Sequence, residues 1–418
     1  MINKSNTIVA HNYSKVDINK IYLLLVFPLF IINPTVGLII ATLFLLKSRH
    51  KENLLHVFVV LLAIWISLVN LTKEPAGDQL SYLHYFRTAG ELKLMSWWKE
   101  MTAGSMKEPL FYLYTYFSYY LFFSQEKLFF FSLSFFNYII LFETIIYLNK
   151  HIGTGFIFAF SGIIVCTFFT QYFALTLHVV RQILGATIIV STIILRGIDG
   201  KPRYLLLIVG ILIHTSLVFL AGLASISWFY KKLDGWRIIV CITALAGFVI
   251  LFGMIGQLLL QHSSSSITSY AFSRMKDDAS DGSGEVSMGP LIMVLIPMQI
   301  ICLKLLFHDL PKGHYLYRNN NDLISPFYPI TYIFLLLSFF ILSMSKAPLI
   351  QYRFFMMVYT FIPFVLPYLF YKTNILSKFY LIGISILFFI RFLLLHNMGT
   401  FKYATLSEIL CNTIFHYL

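Results

Sequence analysis

The feature that most constrains this chain is a succession of apolar runs, each close to the length that crosses a bilayer. A bilayer core needs about 20 apolar residues per helix. Runs of that order lie near 21–46, 54–71, 109–123, 128–148, 152–177, 180–196, 204–229, 236–260, 290–307, 323–343, 354–371 and 378–395. Only helices and closed barrels span hydrocarbon, because every backbone polar group must be satisfied within the protein. The period-two alternation of a barrel is absent. The runs therefore predict an all-α polytopic membrane protein with about 11–14 transmembrane helices, some of them short or re-entrant, forming one integral membrane domain over residues 1–418. Composition agrees: 58% of residues are hydrophobic and 12% charged, against about 45–50% and about 25% in soluble proteins. These proportions exclude a soluble enzyme, a disordered chain and a nucleic-acid-binding domain.

The net charge of +13 follows largely from topology, since cytoplasmic loops collect Lys and Arg. Lys47/Arg49/Lys51, Arg196/Lys201/Arg203, Lys231/Lys232/Arg237, Lys304/Lys312/Arg318 and Lys372/Lys378 all read as cytoplasmic. Residues 1–20 are polar, and the run from Ile21 to Leu46 has no small-residue cleavage pattern. It reads as a retained first helix, kinked at Asn33-Pro34. Cys166, Cys241, Cys302 and Cys411 form neither a zinc spacing nor a disulfide framework.

Two hydrophilic segments read as periplasmic. Residues 261–289 are rich in Ser, Gly and Asp, and 72–108 carries Trp97 and Trp98 in a stretch suited to lying at the headgroup level. Asp78, Tyr82 and Tyr85 share one helical face there. Counting spans exposes a parity conflict: 196–203 and 231–237 both look cytoplasmic, yet one apolar run separates them. The simplest resolution is that 204–229 goes in and out as two short helices turning near His214-Thr215-Ser216. The run 109–123 is short for a crossing and reads as re-entrant. Irregular backbone at membrane depth survives only against protein or a wet cavity, so both features point to a cavity.

Several polar groups sit where insertion is costly, at roughly 2.5–3.5 kcal/mol for a charge near mid-membrane. Arg181 opens 180–196, Arg353 opens 354–371, Glu108 precedes 109–123 and His214 lies within 204–229. Singly, the arginines could snorkel to an interface and His214 could be a neutral hydrogen-bonded imidazole. Together Arg181, His214 and Arg353 fall toward the extracytoplasmic face, where positive-inside logic does not place arginines, and they favour an anionic ligand. Competing signals are weaker. Asp277-Asp278-Ala279-Ser280-Asp281 matches a DDxxD motif, which needs a helix projecting its carboxylates together, but lies among Ser and Gly on the wrong face. Ser161-Gly162 with His214 lacks the upstream glycine of a rhomboid-like protease. There is no HExxH, Walker A or GxGxxG.

Taken in order, Asp78 with Tyr82, Glu108-Pro109, Arg181-Gln182 with Gly185, His214 with Ser216, and Tyr352-Arg353 resemble the EpsG-type, Wzy-like bacterial polysaccharide (O-antigen) polymerases, mainly over 72–220. The chain departs from that pattern in having Gly185 where Ala is common, and in its polar 261–289 loop. The resemblance implies a GT-C-like, multi-pass glycosyltransferase of the bacterial inner membrane with a periplasm-facing cavity. It would transfer a growing glycan from undecaprenyl pyrophosphate to a sugar hydroxyl of a lipid-linked repeat unit, without cofactor or metal. The implied catalytic candidates are His214, Asp78 and Glu108, with Arg181 and Arg353 on pyrophosphate. Tyr82, Tyr85, Arg87, Gln182, Ser216 and Tyr352 would contact substrate. The implied partners are the lipid-linked donor and acceptor, membrane lipid and a chain-length regulator, with no nucleic acid. A lipid-linked oligosaccharide flippase or an O-antigen ligase are the alternatives; the internal repeats usual in transporters are not evident.

Overall fold

The computed structural model describes residues 18–48, 51–102, 108–153, 155–232, 243, 247, 288–312, 317–319, 322–343, 348–367, 375–394 and 402–418. Residues 261–287, with the DDxxD match, and nearly all of the run 236–260 lie outside the described residues. The described chain is an all-helical bundle, apart from a two-stranded ribbon that pairs Tyr317–Asn319 with Asp322–Ile324. Among the described residues, three helices are long and apolar enough to cross a bilayer: α3 (Lys51–Asn70), α7 (Glu126–Ile152) and α10 (Val180–Asp199). A fourth crossing is available if α8 (Phe156–Phe168) and α9 (Thr170–His178), bent by 58°, count as one span. Shorter apolar helices among the described residues include Pro34–Lys47, Tyr204–Ile213 and Phe327–Ser343.

The first run is not one kinked helix. The helices α1 (Ile18–Ile32) and α2 (Pro34–Lys47) fold back on each other at Asn33. Pro34 brings no N–H and is preorganised for the first position of a new helix, while the Asn33 side chain caps it by accepting from the Val36 amide. Gly37 permits the reversal: a Cβ there would lie 2.5 Å from the Phe30 Cα. The hairpin is tied by its polar end to the C-terminal segment. Asn33 Nδ2 donates to the Leu410 carbonyl and Thr35 Oγ1 to that of Ile409.

Lipid offers no hydrophobic drive between helices, so small residues and interhelical hydrogen bonds become important. Asn70 of α3 donates to Ser134 of α7 and Thr176 of α9. Asn137, Tyr172 and Thr187 close a three-way buried ring joining α7, α9 and α10. An apolar cavity of about 220 Å³ lies between α2, α3, α8, the helix Ile375–Leu393 and the C-terminal segment.

The re-entrant reading of 204–229 holds. The helix α11 (Tyr204–Ile213) packs on α10 with Gly210 against Ile189 and Gly185. The chain turns at His214, and Leu217 again meets Gly185. The next helix, α12 (Val218–Ser225), then descends until the carbonyls of Ala224 and Ser225 accept from Arg196. Arg196, read from the sequence as a loop cation, is thus buried. It satisfies the free carbonyls ending α12 and stacks on Tyr230 at 4.2 Å. The basic segments around 201–203 and 231–232 consequently share one end of α10, as the parity argument required, and the hairpin delivers its tip to the other end.

Candidate active site

The site is built at the end of α10 opposite those basic segments. The backbone breaks at Val179 (φ −116°, ψ 52°), between α9 and α10. Arg181 therefore falls in the first turn of α10, where free N–H groups and the helix dipole favour anions. Its guanidinium lies over the rings of Tyr82 (5.2 Å) and Phe111 (5.6 Å), and Nε donates to the Tyr82 hydroxyl at 3.3 Å. Tyr82 belongs to α4 (Asp78–Thr88), whose start is brought in by Gly77. Gly77 has φ +56°, and the His178 ring sits so close that an added Cβ would be 2.8 Å from its Cε1.

Glu108 is the centre of the arrangement. It is buried, and one carboxylate oxygen accepts from Arg181 while the other faces His214 Nδ1. Burial alone would push its carboxyl up, but the His214 hydrogen bond and the Arg181 charge outweigh it and hold the group below its usual range. Its backbone is left-handed (φ 53°, ψ 47°) just before Pro109, which starts α6 (Pro109–Leu121). A non-glycine residue there stores about 1–3 kcal/mol of strain. This conformation turns the carboxylate inward while α6 runs away from it.

His214 ends α11 in an extended conformation (φ −151°, ψ 113°). Among the described residues, its Nε2 and the nearby Ser216 Oγ are buried without a hydrogen-bond partner. Buried polar atoms are nearly always paired, so this turn holds unused hydrogen-bonding capacity.

The other sequence candidates fall as follows. Asp78 is exposed and approaches the Tyr82 hydroxyl at 3.5 Å, not His214. Tyr85 packs on Tyr112 at 5.4 Å, and its carbonyl accepts from buried Trp97. Gln182 donates to the Arg353 carbonyl, so the helix Pro348–Val358 is fixed beside Arg181. The Arg353 guanidinium is exposed and forms no ion pair among the described residues, and Tyr352 beside it is 37% exposed. Arg87 is separate: its fork is taken by Glu126 on the surface.

Sequence reading missed three members. Phe111 and Tyr112 lie three and four residues beyond Glu108, the spacing that places them on its helical face. Tyr112 is within electrostatic reach of Arg181 and Glu108. Lys73 is 4% exposed, and burial pushes its ammonium down to about 7. It acts electrostatically on His178 together with Asp78. Among the described residues no cluster of His, Cys, Asp or Glu could hold a metal.

Residues 53–405 match the EpsG family, which is most of the chain. The chain belongs to the EpsG family. With it comes, in broad terms, a polysaccharide-polymerase type of function in a membrane protein. No curated protein and no solved structure gives a match. The EpsG match runs from α3 to the C-terminal segment and therefore contains every residue of the site.

Proposed function

We propose that this EpsG-family protein is a Wzy-type glycan polymerase at the periplasmic face of the bacterial inner membrane. It transfers a growing chain from undecaprenyl pyrophosphate to a hydroxyl of an incoming lipid-linked repeat. The observation that carries this reading is the buried Glu108 carboxylate joined to both Arg181 and His214, with His214 Nε2 left for a ligand. If His214 Nδ1–H donates to Glu108, Nε2 carries the lone pair and accepts the proton of the acceptor hydroxyl. That oxygen bonds to the anomeric carbon as the bond from that carbon to the diphosphate oxygen breaks. The departing electron pair stays on the diphosphate, countered by the planar forks of Arg181 and Arg353. Diphosphate leaves readily, so no general acid is needed. Ser216 and Gln182 line the acceptor approach, while Asp78, Tyr82, Tyr85 and Tyr352 offer hydroxyl and carboxylate contacts to sugars.

General-base catalysis is typically worth 10²–10⁴-fold, and His214→Ala removes it. In a strain deleted for the gene, wild-type protein should restore a polymer ladder. His214→Ala should leave single repeats on undecaprenyl pyrophosphate outside the membrane. Repeats trapped on the cytoplasmic leaflet after deletion would make the protein a flippase. Polymer still built on the lipid carrier, but not passed on, would make it a ligase. A normal ladder from His214→Ala would remove the base.

A further inference from the structure

Glu108 holds two partners that the reaction uses at different moments. Arg181 Nη1 donates to one carboxylate oxygen and His214 Nδ1 meets the other. The proposed reading, on which this inference rests, assigns that same guanidinium to the donor diphosphate. A diphosphate and a carboxylate then compete for one fork. The diphosphate carries more charge and matches the fork bidentately, so it prevails.

We propose that Glu108 is a relay: when a diphosphate takes over the Arg181 guanidinium, the Glu108 charge falls undivided on His214 and strengthens it as the base. Glu108 is here a positioning residue, touching neither the diphosphate nor the acceptor hydroxyl. The second carboxylate oxygen already faces His214 Nδ1, and that contact keeps the carboxylate at His214 when the guanidinium turns to the diphosphate. Charges interact strongly in such a poorly solvated site. The surroundings contain few other groups that could substitute. Around the pair stand Tyr82 from α4, Tyr112 from α6 and Ser216 on the turn of His214 itself, with Arg353 beyond Gln182. None is a second carboxylate. Asp78 meets the Tyr82 hydroxyl at 3.5 Å, the same hydroxyl that accepts from Arg181 Nε, and joins the cluster through Tyr82.

The consequence is an ordered reaction. The acceptor proton passes to His214 Nε2 with full driving force only after the donor has seated, which sets donor before acceptor.

The Nδ1–H proton of His214 reads this directly, because a stronger, charge-assisted hydrogen bond moves it downfield. Purified protein in nanodiscs, labelled with ¹⁵N-histidine and assigned by subtraction of a His214→Gln spectrum, is titrated with inorganic pyrophosphate. In the wild type the resonance should move downfield on addition. In Glu108→Gln the response should be lost. Arg181→Gln should show the downfield position without pyrophosphate and no further change with it. The same shift in wild type and Glu108→Gln would overturn the relay, as would an Arg181→Gln resonance at the wild-type position. Absence of any pyrophosphate binding would instead count against the donor assignment. The Arg181→Gln spectrum would then decide the relay alone.

Discussion

Replacing Gly185 by alanine tests how tightly the re-entrant hairpin must be seated. The added Cβ would lie 2.3 Å from Leu217 Cδ1 and 3.0 Å from the Gly210 carbonyl oxygen. Ordinary contact begins near 3.4 Å, so something must give by about 1 Å. Leu217 is fully buried and Gly210 is backbone, so neither yields freely, and overpacking of this kind costs about 1–3 kcal/mol. Both obstacles flank the turn carrying His214 and Ser216. If the tip moves by the same ångström, activity should fall by up to about 100-fold. Thermal unfolding of detergent-purified protein at one scan rate, with the glycan ladder in parallel, reads the two effects. Gly185→Ala should lower the melting temperature by roughly 1–3 °C and shorten or abolish the ladder. Leu217→Ala opens a cavity and is destabilising alone. In the double variant the clash and the cavity should partly cancel, with a coupling of about 1–3 kcal/mol. An unchanged melting temperature and ladder for Gly185→Ala, or strict additivity in the double variant, would refute this account of the crossing.

Two other outcomes are expected. Arg181→Lys should sharply reduce polymer at unchanged protein level, because an ammonium cannot stack between Tyr82 and Phe111 or present a planar fork; a normal ladder would take Arg181 off the diphosphate. Lys73→Met should stabilise the protein most at and below pH 7. The folded ammonium titrates at about 7 and the unfolded one near 10.4, so the unfolded chain holds more protons between those values. Wild-type stability should therefore gain on the variant as pH rises through that window, by at most about 1.4 kcal/mol per pH unit; a pH-independent difference would contradict it.

Much of the architecture was legible because insertion makes polar residues informative. Two basic segments separated by one apolar run required a turn near His214, and the turn is there. Arg181, Glu108 and His214 stood out by the expense of placing them in an apolar setting, and they meet. What the sequence withheld was pairing. Asp78 is the first candidate beside His214 in the sequence and Glu108 the reserve, whereas the structure sets buried Glu108 against His214 Nδ1 and leaves exposed Asp78 at the Tyr82 hydroxyl. Arg196 looked like a loop cation because composition does not reveal which carbonyls end a distant helix. Asn33-Pro34 is compatible with a kink or a reversal, and the outcome depends on Gly37 accepting the Phe30 backbone. Arg87 looked like a ligand contact until Glu126, 39 residues away, took its fork.

The tie between the first hairpin and the C-terminal segment has a bearing on biosynthesis. Asn33 finds its Leu410 partner across 377 positions. At the usual pace of about 5–20 residues per second, those partners are made roughly 20–75 s apart. Throughout that interval the hairpin has entered the membrane with Asn33 and Thr35 unanswered by the groups that later hold them, and Trp65, which donates to Thr35, supplies an early mooring. The long-range clasp is thus among the last contacts to form. A lesion near Ile409 or Leu410 would be felt at the opposite end of the gene product, as an N-terminal hairpin that inserts on time and is never locked down.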